Sequence, residues 1–156
     1  MRVVFLDIDG VLNPDAWAER RCIEAPDDTD GTTFDPTTVA VINEITARSG
    51  AKIVVSSAWR HYFNVSRLRR ILAENGVVAE VIGTTPTLGE GRYEDRGNEI
   101  RAWLARHPEV SAAVIIDDVN AMGPSADLLV QTNPEVGLCW YQIPHALEIL
   151  GCGCDA

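Results

Sequence analysis

Acids and hydroxyls stand in this sequence where buried strands should end. Asp7 and Asp9 follow the apolar run Val3–Leu6, with Gly10 directly after them. In an extended chain residues two apart point to the same side, so the two carboxylates would share a face. A glycine at the third step lets the backbone turn out of the sheet. Asp117 and Asp118 follow a second apolar run, Ala112–Ile116. Like charges this close need a cation or a shared proton, and a strand that delivers two acids to a sheet edge is costly without a cation there. A hard divalent ion held by carboxylate and carbonyl oxygens satisfies them, and Mg2+ suits a site that also takes phosphate. Ser56 and Ser57 close a third apolar strand, Lys52–Val55, where a hydroxyl can donate to a phosphate oxygen. Trp59 and Arg60 come next, a pair able to stack a base or ribose and to grip a second phosphate.

Simpler readings account for less. An EF-hand loop would need glycine at its sixth position, which is Leu12, and a helix before it. A solvated hairpin turn explains Gly10 but not why acids follow a fully apolar strand. Serines also simply end strands, and tryptophan commonly serves packing.

A chain of 156 residues is one domain's worth and long enough to bury a proper core. The net charge of −10 argues against a sequence-blind nucleic-acid binder, while leaving room for one phosphate end to be held by a local patch. The chain starts on a strand that runs into two acids, so no signal peptide is expected. No apolar run reaches the length of a membrane span, and the expected location is the cytoplasm. Four cysteines do not make a disulfide framework in such a domain. Cys22 and Cys139 read as isolated thiols, and Cys152-Gly153-Cys154, without a nearby histidine, as a frayed tail.

The elements that must position these groups can be placed in turn. Pro14 to Asp35 reads as a long loop, acidic at Asp27, Asp28 and Asp30, with one short helical turn at Ala16–Glu19. Its place after Asp7 and Asp9 suggests a flap over the site. Asp35-Pro36 starts a helix with Val39, Ile42 and Ile45 as its apolar stripe and Gly50 as its stop. Asn64 caps the next helix, which buries Val65, Leu68, Ile71 and Leu72, carries Arg67, Arg69 and Arg70, and stops at Asn75-Gly76. A strand from Val77 to Ile82 and a loop from Gly83 to Pro86 follow. A Gly-rich stretch with Arg92 and Tyr93 then leads into a helix with Arg96, Gly97 and Asn98 at its start and Ile100, Trp103 and Leu104 as its apolar face. Leu128–Val130 makes a fifth strand, and Ile143 to Leu150 a last helix. Strands alternating with helices imply an α/β fold, a parallel sheet with helices on both faces and ligands at the strands' carboxyl ends. Residues 1–150 read as a single catalytic domain and 151–156 as a tail.

Asp7-Ile8-Asp9-Gly10-Val11-Leu12 resembles the D-x-D-G-[TV]-L signature of the haloacid dehalogenase-like (HAD) phosphohydrolases. Ser56-Ser57-Ala58-Trp59-Arg60 is similar to the corresponding string in the HAD phosphatase domains attached to RNA-repair proteins. The resemblance implies Asp7 as nucleophile, Asp9 as general acid/base and Ser56 as the second-motif hydroxyl. It implies Arg96 as the third-motif cation in preference to Arg92; Lys52, the chain's one lysine, is misplaced for it. Ile8, Ser57, Trp59 and Arg60 would contact substrate. Mg2+ would be bound by Asp7, Asp9 through its main-chain carbonyl, Asp118, and Asp117 directly or through water, with Asn120 where many members carry a further acid. The fold implied is a Rossmann-like three-layer sandwich with a central parallel sheet of about five strands in the order 5-4-1-2-3 and minimal or no cap. The expected activity is a phosphatase with an aspartyl-phosphate intermediate. Its phosphorylated substrate leans to a nucleotide or nucleic-acid end, against a small metabolite or a phosphoprotein. A signalling receiver domain is disfavoured, because its phosphoacceptor belongs on the third strand and a lysine after the fifth. A non-catalytic HAD-like scaffold is disfavoured because each motif position holds a competent residue.

Overall fold

The computed structural model describes residues 1–90 and 95–153. Five parallel strands form one sheet: β1 (Arg2–Leu6), β2 (Lys52–Val55), β3 (Val81–Thr84), β4 (Ala112–Asp117) and β5 (Leu129–Gln131), in the spatial order β3-β2-β1-β4-β5. That is the order which the resemblance implied. β1 lies at the centre, with Leu6 opposite Val55 on one side and Ile116 on the other.

Every second residue of the central strands faces one apolar layer and the alternate set faces another. Val4, Leu6, Ile53, Val55, Val114 and Ile116 pack with Ile42 and Ile45 of α2 (Pro36–Ser49), Leu68, Ile71 and Leu72 of α3 (Val65–Glu74), and Ala146 of α5 (Ile143–Ile149). Val3, Phe5, Val54 and Ile115 pack with Ile100 and Trp103 of α4 (Arg96–Ala105) and with Met122. The result is a three-layer sandwich whose central strands β1, β2 and β4 are buried on both faces, which is why they read as unbroken apolar runs.

The helix starts follow their caps. Asp35 accepts from the Thr37 amide at 2.9 Å, and Asn64 from the Arg67 amide at 2.9 Å. Elsewhere the structure corrects the boundaries. β3 begins at Val81 rather than Val77, and Gly83 and Thr84 belong to the strand, not to a loop. Residues 77–80 pass along the sheet's lower edge: the Val78 amide binds Asn43 and its side chain points to solvent. The expected turn at Ala16–Glu19 is a full helix, α1 (Asp15–Glu24). It has no apolar stripe to betray it, because Trp17 is its one buried residue. The Trp17 indole donates to the Thr33 carbonyl at 2.7 Å, and Arg21 reaches Asn13 and Asp28. These bonds fasten α1 and residues 25–35 beside the D-x-D-G turn.

No described helix is long and apolar enough to cross a membrane. Cys152 is half-buried against the core, with its amide bonded to the Leu147 carbonyl, so the chain is not frayed there; Cys154 lies outside the described residues.

Candidate active site

β1, β2 and β4 all end at one edge of the sheet, and their last residues meet there. Asp7 is buried, and its carboxylate accepts from the Ile8 amide at 2.8 Å and from Arg96 Nη1 at 2.7 Å. The same Arg96 nitrogen donates to Asp117 Oδ2 at 2.6 Å, while Asp117 Oδ1 takes the Val119 amide at 2.9 Å. One guanidinium from the first residue of α4 therefore ties the acid after β1 to the acid ending β4. Burial pushes the Asp7 carboxyl above its ordinary range, against the pull of Arg96, the Ile8 amide and the Ser57 hydroxyl. Burial and then repulsion by Asp7 push Asp117 up to about 7, with Arg96 opposing them. Burial works against the charge on Arg96 too, but Asp7 and Asp117 more than offset it and its pKa rises.

Asp118 completes the acidic group, because Asp7, Asp117 and Asp118 each place an oxygen within 4.8 Å of the others. Three carboxylates against one guanidinium leave an excess negative charge, and an all-oxygen donor set of this size fits a hard cation such as Mg2+. The Asp9 carboxylate stands apart from this group. It is exposed at the mouth of the cleft, held by the Trp59 indole N–H at 2.8 Å and the Asn13 amide at 3.0 Å. Two glycines make the close approaches possible. Gly10 has φ +74°, and a side-chain carbon there would lie 2.7 Å from Asp118 Cγ. At Gly97 such a carbon would lie 2.2 Å from the Met122 carbonyl, so no larger residue could seat α4 with Arg96 at this depth.

The cleft holds about 270 Å3, walled by Asp7, Asp9, Ser57, Arg96, Asp118 and Pro134 among others. A larger hollow lined by residues 24–33 is acidic and carries none of these groups. Of the two serines, Ser57 lines the cleft and acts on Asp7. Ser56, where the second-motif hydroxyl was expected, is buried with its Oγ unpartnered among the described residues. The alternation of an extended chain accounts for the difference: Ser56 continues the face of Val54, toward α4, and Ser57 turns the opposite way. Thr85 Oγ1, across from Ser56 at the end of β3, is likewise buried and unpartnered.

Trp59 and Arg60, expected to contact substrate, are both engaged within the protein. The Trp59 ring packs edge-on against Phe34 and tilted against Phe63, and its N–H is used on Asp9. Arg60 is buried beneath the site, where it pairs with Glu99 of α4 and donates to the Ser57 carbonyl at 2.8 Å. Glu99 also accepts from the Leu88 amide. Glu99, Asn13 and Asp15 escaped the sequence reading. Glu99 lies one helical turn beyond Arg96, so periodicity could have put both on one face; Asn13 directly follows the D-x-D-G-V-L stretch, and Asp15, which lines the cleft, lay in the stretch read as loop. Arg92, the alternative third-motif cation, lies outside the described residues, as does Tyr93.

Searches of curated proteins and of solved structures gave no match. The family comparison did. Acid-terminated strands β1 and β4, a hydroxyl after β2 and a cation opening α4 fall together within residues 3–143, which match the model described as "HAD domain in Swiss Army Knife RNA repair proteins". The chain belongs to this haloacid dehalogenase-like family, whose membership supports a phosphohydrolase in general.

Proposed function

We propose that the protein is a Mg2+-dependent phosphatase that works through a phosphoryl group carried on Asp7, with a terminal phosphate of a nucleic acid or nucleotide as substrate. The observation that carries the reading is the Arg96 bridge between Asp7 and Asp117, with Asp118 close enough to share a cation.

Asp7, Asp117 and Asp118 would hold Mg2+, which when bound neutralises the acids and the phosphate they face. Arg96 lies against the nucleophile, where its positive charge faces the phosphoryl oxygens. Ser57 supplies a hydroxyl on the other wall. A carboxylate oxygen of Asp7 attacks phosphorus, the bond to the leaving oxygen breaks, and Asp9 gives that oxygen its proton. Asp9, now a carboxylate, takes a proton from water; the hydroxide oxygen attacks phosphorus and frees Asp7 and inorganic phosphate.

The access to the cleft supports this choice of substrate. Among the described residues, the interval between β1 and α2 has α1 and a loop, and that between β2 and α4 has a 3-10 turn, α3, β3 and a second loop. The described residues of neither interval fold into a separate cap, which favours access for a polymer end. The test compares kcat/KM with and without Mg2+ on 3′- and 5′-phosphorylated oligonucleotides, mononucleotides, sugar phosphates and p-nitrophenyl phosphate. Hydrolysis that needs Mg2+ and Asp7 supports the mechanism. Rates on oligonucleotides no better than on generic phosphomonoesters refute the nucleic-acid end alone.

A further inference from the structure

We infer that a single nucleic-acid strand leaving the cleft lies along His61, Tyr62, Arg67 and Arg70. The inference rests on the phosphatase reading above and adds where its polymeric substrate is held.

The strip is continuous with the site. Ala58, in the cleft wall, opens a 3-10 turn that ends at His61. Tyr62 follows, its amide bonded to the carbonyl of Trp59, whose indole touches Asp9 at the mouth. Phe63 packs back onto Trp59, which throws the Tyr62 ring outward, 80% exposed. α3 begins two residues later. Because it joins the parallel strands β2 and β3, it must start at the cleft edge and run away from it. Arg67 stands in its first turn and Arg70 one turn on, which makes them neighbours on the helix surface.

The chemistry of these four suits one ligand class. A chain with 13 basic and 23 acidic residues has few cations to spare, and most of them are committed. Arg20, Arg21, Arg60 and Arg96 are paired with acids around the site, and Arg69 gives its Nε to the Val81 carbonyl at 2.7 Å. Arg70 is exposed. Arg67, half-buried, meets Glu74 at only 3.9 Å, a contact that a phosphate can displace. Flat rings next to exposed guanidinium groups are what a single strand uses: bases stack on the rings and phosphates pair with the cations.

Fluorescence anisotropy of a labelled 3′- or 5′-phosphorylated octanucleotide on the full-length Asp7→Asn protein reads strand binding without turnover. Tyr62→Ala should weaken binding about tenfold. Arg67→Gln with Arg70→Gln should flatten the salt dependence by about 1.4, at about 0.7 per phosphate contact. Placed in the otherwise native chain, the same changes should erase any gain in kcat/KM of octanucleotide over mononucleotide. They should leave p-nitrophenyl phosphate hydrolysis as in the parent, which also shows that the variants fold. Octanucleotide binding no tighter than mononucleotide binding, or variants that bind like the parent, would overturn the strip while p-nitrophenyl phosphate hydrolysis upholds the phosphatase. Strip-dependent binding by a native protein that hydrolyses none of the phosphomonoesters would sink the phosphatase reading and keep the strip.

Discussion

Asp117 carries a consequence that can be measured without substrate. Its pKa near 7 in the folded, metal-free chain lies above the ordinary 3.8. The folded state therefore keeps that proton more tightly than the unfolded state does. The stability it contributes is complete below about pH 4 and is lost as pH rises through 7. Asp7 shifts in the same direction, for the same first cause, burial. The metal-free protein should melt at progressively lower temperature from pH 5 to pH 8, and the rise in Tm on adding Mg2+ should grow over that interval, because the ion displaces the proton. A Tm increment that is flat with pH would mean these acids do not hold the ion. Trp59 offers a second residue-level prediction. Trp59→Phe keeps a ring between Phe34 and Phe63 but removes the donor to Asp9. If that bond sets the aim of the acid/base, kcat should fall about tenfold to a hundredfold with KM little changed, as steady-state kinetics on p-nitrophenyl phosphate would show. Asp7→Asn should lower kcat by at least about a thousandfold and abolish acid-stable labelling by a phosphate donor.

At the scale of elements, α4 is the part that must be seated correctly. It brings Arg96 to the two acids and, one turn later, brings Glu99 to Arg60, whose other nitrogen holds the Ser57 carbonyl. Arg96 and Ser57, the two groups assigned to the phosphoryl oxygens, are fixed to each other through that buried pair. Arg60→Met leaves Glu99 charged and unpaired and should cost about 3–5 kcal/mol in denaturant unfolding. Arg60→Met with Glu99→Met should recover much of the stability but not kcat, since the clip between the two walls is gone. Gly97→Ala should act through the same helix: α4 must move off the Met122 carbonyl, taking Arg96 from Asp7, and activity should drop more than Tm. These elements differed in how far the sequence disclosed them. β1, β2 and β4 are buried on both faces, so each is an unbroken apolar run, and each ends in chemistry. α1 buries one residue and is held by side-chain bonds to distant parts of the chain, which no local pattern can reveal. The choice of Ser57 over Ser56 turns on which way one residue faces after a strand ends. Arg60 was read as a substrate contact, and its burial was not legible because its partner lies 39 residues on.

For the whole molecule, the central position of β1 governs how the site comes into being. Its partners arrive at very different times along the chain: β2 after about fifty residues and β4 after about a hundred and ten. Arg2 pairs with Ala112 and Leu6 with Ile116, and that second closure carries the larger loop entropy. Until it happens, one edge of β1 is open and Val3 and Phe5 lack their cover from α4 and Ile115. Asp7 and Asp117, 110 positions apart, acquire their burial, their shared arginine and their shifted affinity for protons in that one step. The acidic group of Asp7, Asp117 and Asp118 is therefore complete only once β4 has docked against β1. A chain ended before Ala112 should expose the open β1 edge and aggregate, and in refolding the recovery of near-ultraviolet dichroism from Trp103 should coincide with the return of Mg2+ binding.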